Sequence, residues 1–369
     1  MNPAFSARNL QDFEPYMSQH IHKLLNCLRR QLEPSKSFEV DFNKYSNFLA
    51  FDVIGDFAFG ESFNFLDREE DYLNLIEAID ARGEVLNALG HAPLFLRPLI
   101  KWLPFDPFWS QGLRGTKSLG VIGTKAYFER KSQSGARKDL LSYLFNAKDP
   151  QTGGNLEEKE IIAESISFIV GGSDTTSTSM TNVVDIVSRS RKLLEVLQKE
   201  LDGAFPGELA PDWVAPFKEV ESLPILNAIV RETMRIRPTS ATGLERVTPK
   251  GGKVIAGNFV PEGTLVSVPT LAIHRCPSAF MDAETFFYER WLEKDSGALL
   301  DSFVPFSVGP RACIGRNFAW MEMLKTLATL FKLFDMERTH AGGTPSREGF
   351  FMKTKECRIN LKLRQIPRS

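Results

Sequence analysis

One cysteine stands in a setting that could turn its thiol into a metal ligand. Cys313 lies in the segment Phe306-Ser-Val-Gly-Pro-Arg-Ala-Cys-Ile-Gly315, directly before a stretch with the periodicity of an amphipathic helix. The amides and the dipole at the start of a helix favour a thiolate over a thiol. Gly309 and Gly315 permit backbone shapes and close approaches that a side chain would block. Arg311 adds a fixed positive charge that suits an acidic group on whatever binds this loop.

Two interpretations of the cysteine loop follow from these residues. A flat macrocycle that carries carboxylates and an iron atom would satisfy the thiolate, the glycines and the arginine together. A thiolate on haem iron donates electron density that favours O–O bond cleavage. The alternative is a buried structural cysteine in a glycine-containing turn before a helix. A structural role is the commoner one for an isolated cysteine, so other motifs must decide.

A second motif, Gly171-Gly-Ser-Asp-Thr-Thr-Ser-Thr-Ser179, lies inside a long predicted helix over residues 157–190. Two glycines in a helix interior cost about 2 kcal/mol relative to alanine, and we expect something to offset that cost. A flat ligand against Gly171 and Gly172 would do so, and so would a widened turn at Thr175. The alternative is a crossing of helices through small residues, with Asp174 solvated.

A third motif, Glu232-Thr-Met-Arg235, places opposite charges three residues apart on one face of a predicted helix. Solvated pairs of this kind are common and contribute little to stability. The motif alone is therefore weak evidence for any function.

The elements that position these motifs are mainly helices. Apolar residues at spacings of three and four, together with helix start and stop signals, predict helices over residues 10–31, 41–58, 157–190, 191–201, 223–236 and 315–334. Residues 246–270 predict short strands and turns, and residues 358–363 alternate like an edge strand. Residues 90–115 are rich in proline and aromatic side chains, which favours a bent cover over the core. The predicted class is mostly α with a small β region.

Composition narrows the functional classes. The 369 residues carry 45 Lys and Arg against 46 Asp and Glu, and this balance gives no indication of a nucleic-acid partner. The four cysteines form no Cys-x-x-Cys pair, which excludes a zinc knuckle and fits a reducing compartment better than a disulfide framework. The first residues resemble neither a signal peptide nor a spanning helix, so this chain by itself is expected to be soluble.

The three motifs resemble those of the cytochrome P-450 family of haem-thiolate monooxygenases. The cysteine loop matches the haem-binding pattern Phe-x-x-Gly-x-Arg-x-Cys-x-Gly at every fixed place. The glycine-rich helix, Glu-x-x-Arg, Phe287-Tyr-Glu-Arg-Trp291 and the cysteine loop follow in the family's order over nearly the whole chain. Residues 51–60 and 246–264 are similar to fungal members, with benzoate 4-hydroxylase-type enzymes the nearest.

The resemblance implies a role for each candidate residue. Cys313 would be the axial thiolate ligand of the iron of haem b. Asp174 would deliver protons, and Thr175 would position oxygen and a water. The other cofactor-binding residues would be Arg311 and Arg246 at the haem carboxylates, with Phe306, Gly309, Gly315, Gly171 and Gly172. A buried structural network would join Glu232, Arg235 and Arg290, with Tyr288 in the family's usual proline place.

The implied protein is a single domain over residues 1–369 with the cytochrome P-450 fold, lacking its N-terminal part, including the membrane anchor. It would use O2 and electrons from an NADPH-cytochrome P-450 reductase to oxidise a small apolar or aromatic molecule, in fungal secondary metabolism. Full-length relatives occupy the cytosolic face of the endoplasmic reticulum membrane. Without that anchor, this chain is expected in the cytoplasm.

Two other functions remain open from the sequence. One is an isomerase or dehydratase that keeps the haem but does not activate oxygen, against which the acid–alcohol pair argues. The other is a truncated, inactive paralogue that does not retain haem. The short N-terminus is the only support for it.

Overall fold

The structure is a computed structural model that describes residues 2–32, 37–93, 95–100, 106–133, 138–149, 153–293 and 295–365. It divides into two compact units, which we describe separately. The first unit comprises Met1–Asn227 and Ile314–Ser369, and the second comprises Ala228–Cys313.

Helices make up most of the first unit and a smaller part of the second. In chain order they are α1 (Ala7–Arg30), α2 (Phe42–Phe59), α3 (Phe65–Arg68), α4 (Leu75–His91), α5 (Arg97–Ile100), α6 (Pro107–Ser132), α7 (Leu140–Phe145), α8 (Glu158–Ser188), α9 (Arg191–Ala204), α10 (Phe217–Val220), α11 (Pro224–Ile236), α12 (Thr270–His274) and α13 (Arg316–Leu333). Short 3-10 helices occupy Asn2–Phe5, Tyr288–Trp291, Ser296–Asp301 and Gly309–Arg311. The six helices predicted from periodicity are all present, with ends that differ by a few residues. None of the described helices is both long and apolar enough to cross a membrane.

Strands are short and pair antiparallel. They are β1 (Phe38–Asp41), β2 (Arg246–Val247), β3 (Lys253–Ile255), β4 (Asn258–Val260), β5 (Leu265–Val266), β6 (Phe334–Arg338), β7 (Ser346–Glu348), β8 (Met352–Thr354) and β9 (Arg358–Leu363). The first unit holds a three-stranded sheet in the order β1-β9-β6 and the hairpin β7–β8, and the second holds the pairs β2–β5 and β3–β4. The prediction of a mostly α protein with a small β region is confirmed.

Helices α2 and α8 form the centre of the first unit. The sequence of α2 is apolar on nearly every side, and almost all of its residues are buried. This helix is therefore enclosed and is not the one-sided amphipathic helix that its stripe suggested. Gly172 of α8 faces Ile54 of α2, and a Cβ at Gly172 would lie 2.5 Å from Ile54 Cδ1. The glycine allows the two helices to approach closely.

One prediction about local structure was wrong. Residues 358–363 form the central strand of the three-stranded sheet and not an edge strand, because β1 and β6 pair on its two sides. Much of the segment 90–115, for which a bent cover is predicted, is helical. Helix α6 begins at Pro107, a favoured first helical residue, after the Asp106 carboxylate that caps its amides. Residues 94 and 101–105 of that segment lie outside the described residues.

The second unit has a small aromatic core. Phe280 and Trp291 are buried with Ala228 and Ala283. The unit also contains the charge motif on α11 and the cysteine loop.

Candidate active site

Asp174 is buried in the middle of α8 and is held by a lysine from the hairpin β7–β8. Lys353 Nζ lies 2.8 Å from Asp174 Oδ1 and 2.6 Å from Asp80 Oδ1 on α4. Burial raises the pKa of Asp174 above its ordinary value, and Lys353 offsets part of that rise. Burial by itself would lower the pKa of Lys353, but the two carboxylates raise it. Asp174 is therefore not solvated, unlike in the alternative interpretation of this motif as a crossing of helices.

Thr175 and its neighbouring glycines lie on an uninterrupted α-helix. The Thr175 hydroxyl donates to the Gly171 carbonyl over 2.9 Å, one helical turn back. The widened turn that would have offset the glycines is absent from α8. A Cβ at Gly171 would meet no described atom within 4 Å, whereas one at Gly172 would meet Ile54. Helix packing therefore accounts for Gly172, and Gly171 retains an open face for a ligand.

A pocket that is partly open to solvent lies beside Asp174 in the first unit. Its apolar lining comes from α4, α8 and the turn of the hairpin β7–β8, through Ile79, Leu86, Val170, Phe350 and Phe351. Its charged lining consists of Asp80, Arg82, Glu84, Asp174, Arg347 and Lys353. The buried acid thus lies in the wall of a mainly apolar pocket.

The cysteine loop lies on the surface of the second unit. The Cys313 amide donates to the Phe306 carbonyl over 2.8 Å, which closes the loop, and the Cys313 side chain is exposed. Gly309 adopts a φ of +77°, a backbone conformation that favours glycine. Gly315, assigned to the first unit, precedes α13 with a φ of −82°, so a special backbone shape is not the reason for that glycine. The buried structural cysteine of the alternative interpretation is not observed.

Two arginines of the second unit are also exposed. Arg246 on β2 donates to the carbonyl of its neighbour Glu245 over 2.8 Å, and neither it nor Arg311 forms an ion pair with a described carboxylate. An exposed thiol together with unpaired guanidinium groups suits a ligand that carries both a metal and acidic groups.

Glu232, Arg235 and Arg290 lie in direct contact inside the second unit. Glu232 pairs with Arg235 through two hydrogen bonds of 2.8 and 2.9 Å, and Arg290 Nε lies 3.2 Å from the same carboxylate. Trp291 Nε1 also donates to Glu232 over 2.8 Å, a partner that the sequence did not indicate. All four side chains are buried, so the network excludes water and fixes α11 against the segment around Trp291.

His274 completes this packing. Its Nε2 accepts from the Val304 amide over 2.9 Å, so Nδ1 carries the proton and donates to the Arg235 carbonyl at 3.2 Å. Burial lowers the pKa of His274 to about 4. His274 therefore packs and forms hydrogen bonds inside the second unit. Among the described residues, no cluster of three or more His, Cys, Asp or Glu could hold a metal ion.

Comparison with known proteins decides between the interpretations of these motifs. The sequence profile of the family described as Cytochrome P450 matches residues 1–361. The chain belongs to the cytochrome P450 family.

Similar fungal proteins agree with this assignment. Benzoate 4-monooxygenase bphA of Aspergillus niger is 36% identical over 98% of this chain and 74% of its own length. Cytochrome P450 monooxygenase penB of Penicillium thymicola is 31% identical over 96% of this chain and 81% of its own length. The crystal structure of the cytochrome P450DA heme domain superposes with a TM-score of 0.82 at 23% identity, covering 99% of this chain and 76% of that one, which supports the fold.

This P450 is a monooxygenase, and its cofactor is haem iron with a thiolate ligand. The residues of the second unit fit that group, because Cys313 offers an exposed thiol and Arg311 and Arg246 offer cations that form no ion pair with a described carboxylate. Haem held there would supply the activation of O2 and the transfer of one of the two oxygen atoms of O2. The assignment of individual residues to it stays a prediction.

Several residues of the pocket were not found from the sequence. Asp80, Arg82 and Glu84 share one turn of α4, and Arg347 and Lys353 lie on the hairpin β7–β8. Charged residues on a helix and in a hairpin indicate solvent exposure unless their partners are known. The turn between β7 and β8 also lines the pocket, through Gly349, Phe350 and Phe351.

Proposed function

We propose that this P450 inserts one oxygen atom from O2 into a small apolar or aromatic substrate, with electrons from an NADPH-cytochrome P450 reductase. The observation that carries the proposal is the position of Asp174, a buried acid in the wall of a mainly apolar cavity and next to Thr175. The similar benzoate 4-monooxygenase supports a small aromatic substrate. The similar fungal P450 monooxygenases support a place in fungal secondary metabolism.

Each candidate residue of the chain has a separate role in this reaction. Cys313 ligates the iron, and Arg311 and Arg246 bind the haem carboxylates. Asp174 holds a proton more readily than a solvated carboxyl group because burial raises its pKa. Lys353 orients Asp174 and releases it when the carboxyl group takes up a proton, because a neutral acid has lost most of its attraction to the lysine. Thr175 positions the atom that receives the proton, and the apolar lining excludes water from the substrate.

Isotope labelling tests the proposed reaction. The haem-loaded chain is combined with a fungal reductase, NADPH, 18O2 and a panel of small aromatic and aliphatic substrates. We expect one labelled oxygen atom in the product and a strict need for NADPH. Product formation without NADPH, or without label, would instead indicate an isomerase or dehydratase. Asp174→Asn should lower product formation by about 10²-fold while substrate affinity is retained.

A further inference from the structure

Arg82 is the charged side chain of the cavity wall that has no acidic partner among the described residues. The other two cations of the wall are both paired. Arg347 binds Glu84 and lies 2.9 Å from Asp80, while Lys353 bridges Asp80 and Asp174. Each acid of the wall is therefore held by Arg347 or Lys353, and none of them is in contact with Arg82.

Arg82 is half-buried on α4, and burial lowers its pKa, with no opposing charge among the described residues to stabilise the cation. The adjacent Gly83 carbonyl accepts a hydrogen bond of 3.1 Å from the Phe350 amide, which brings the β7–β8 turn onto this part of α4. In that turn the rings of Phe350 and Phe351 pack edge to face, 4.8 Å apart. An arginine beside such a wall loses hydration without gaining a partner.

A partly desolvated, unpaired guanidinium in a pocket is unfavourable unless a ligand supplies an opposing charge. Arginine presents several N–H donors in a planar fork that matches both oxygens of a carboxylate. Because Arg347 and Lys353 neutralise the wall's own acids, those acids do not occupy Arg82.

We propose that Arg82 binds the carboxylate of the substrate, and that the substrates of this P450 are small apolar carboxylic acids. The proposal rests on the proposed function, because it assigns the substrate class of the same cavity. The carboxylate would pair with Arg82 while the hydrocarbon part lies against Val170 and Phe351. In this arrangement the paired charges hold the wall of the pocket together, and Arg82 makes the pocket prefer ligands that carry a carboxylate.

Equilibrium dialysis tests the proposal without turnover. The probes are benzoate, trans-cinnamate and octanoate, each compared with its primary amide, which has nearly the same shape but no charge. We expect each acid to bind the haem-loaded wild-type chain at least about 10-fold more tightly than its amide. Arg82→Met should weaken binding of the acids by about 10- to 100-fold and leave the amides unchanged, and Arg82→Lys should give an intermediate loss. Arg114→Met, at an exposed arginine of α6, is the matched control and should retain the preference for acids.

Equal affinity for acids and amides in the wild-type chain would overturn the proposal, as would no binding of any acid. An undiminished preference in Arg82→Met would also overturn it. If Arg82→Met does not fold, the comparison of acids with amides in the wild-type chain and the result for Arg82→Lys still test the proposal. A preference for acids without labelled product would count against the proposed reaction alone, whereas labelled product without that preference would count against Arg82 alone.

Discussion

Lys353 Nζ lies 2.8 Å from the carboxylate of Asp174, although 179 residues separate them in the chain. The lysine is also 2.6 Å from Asp80, so it joins the hairpin β7–β8 to both α4 and α8. The acid expected to handle protons is therefore tied to the loop that lines the substrate cavity. A substrate that displaces this hairpin would also change the partner of Asp174.

Replacing Lys353 should lower the stability of the chain, because two buried carboxylates then lose a positive partner. In Lys353→Gln, Asp174 and Asp80 lose their shared cation, and we expect the free energy of unfolding to fall by about 3–5 kcal/mol. Denaturation by urea measures the change. Lys355→Gln, at an exposed neighbour, should have little effect. An equal loss in the two variants would show that the Lys353 bridge contributes no more to the free energy of unfolding than an exposed lysine does.

Removing the charge of Glu232 should destabilise the chain in the same way. Glu232→Gln leaves Arg235 and Arg290 buried without a counter-charge, and we expect a loss of about 3–5 kcal/mol in unfolding free energy. Glu289→Gln changes an exposed acid of the neighbouring 3-10 helix and serves as the control. A Glu232→Gln variant as stable as this control would contradict a buried network.

The two glycines of α8 should respond to alanine in opposite directions. Gly171→Ala meets open space and should raise the stability of the haem-free chain by about 1 kcal/mol through helix propensity. Gly172→Ala crowds Ile54 and should lower stability by about 1–3 kcal/mol, with Ile54→Ala relieving the loss. Thermal unfolding of the three variants measures this. Changes of the same sign at Gly171 and Gly172 would refute the packing explanation.

The sequence predicted the large elements because their signals are local. Apolar spacing identified α1, α2, α8 and α13. The strand at residues 358–363 was also found, but its central position depends on β1 and β6, which lie far away in the chain. Periodicity contains no information about such partners.

The candidate site was only partly predictable for the same reason. Cys313, Asp174 and Glu232 stand in motifs whose residues are adjacent in the chain. Lys353 and Arg82 stand in no motif. Only the folded chain shows that Lys353 is paired with Asp174 and that Arg82 has no acidic partner among the residues that the structure describes. The role of Gly172 was obscured because a ligand and a tightly packed helix both require a small residue.

His274 should make stability depend on pH. Its pKa is lowered to about 4 in the folded chain, against 6.5 as the ordinary value, so the unfolded chain binds a proton first as pH falls. The free energy of unfolding should therefore decrease from pH 6.5 towards pH 4, by about 1.4 kcal/mol per pH unit from this residue. Gln has no titrating group, so the difference between the wild-type chain and His274→Gln isolates the contribution. A difference that stays constant with pH would contradict the burial of a neutral imidazole.

The most direct test of the account is the carbon-monoxide difference spectrum of the reduced, haem-loaded chain, with Cys313→Ala and Cys276→Ala compared side by side. Cys276 belongs to the same unit and is partly exposed, which makes it a matched control. We expect the red-shifted band of thiolate-ligated haem in the wild-type chain and in Cys276→Ala, and its loss in Cys313→Ala. Retention of that band in Cys313→Ala would show that Cys313 is not the iron ligand.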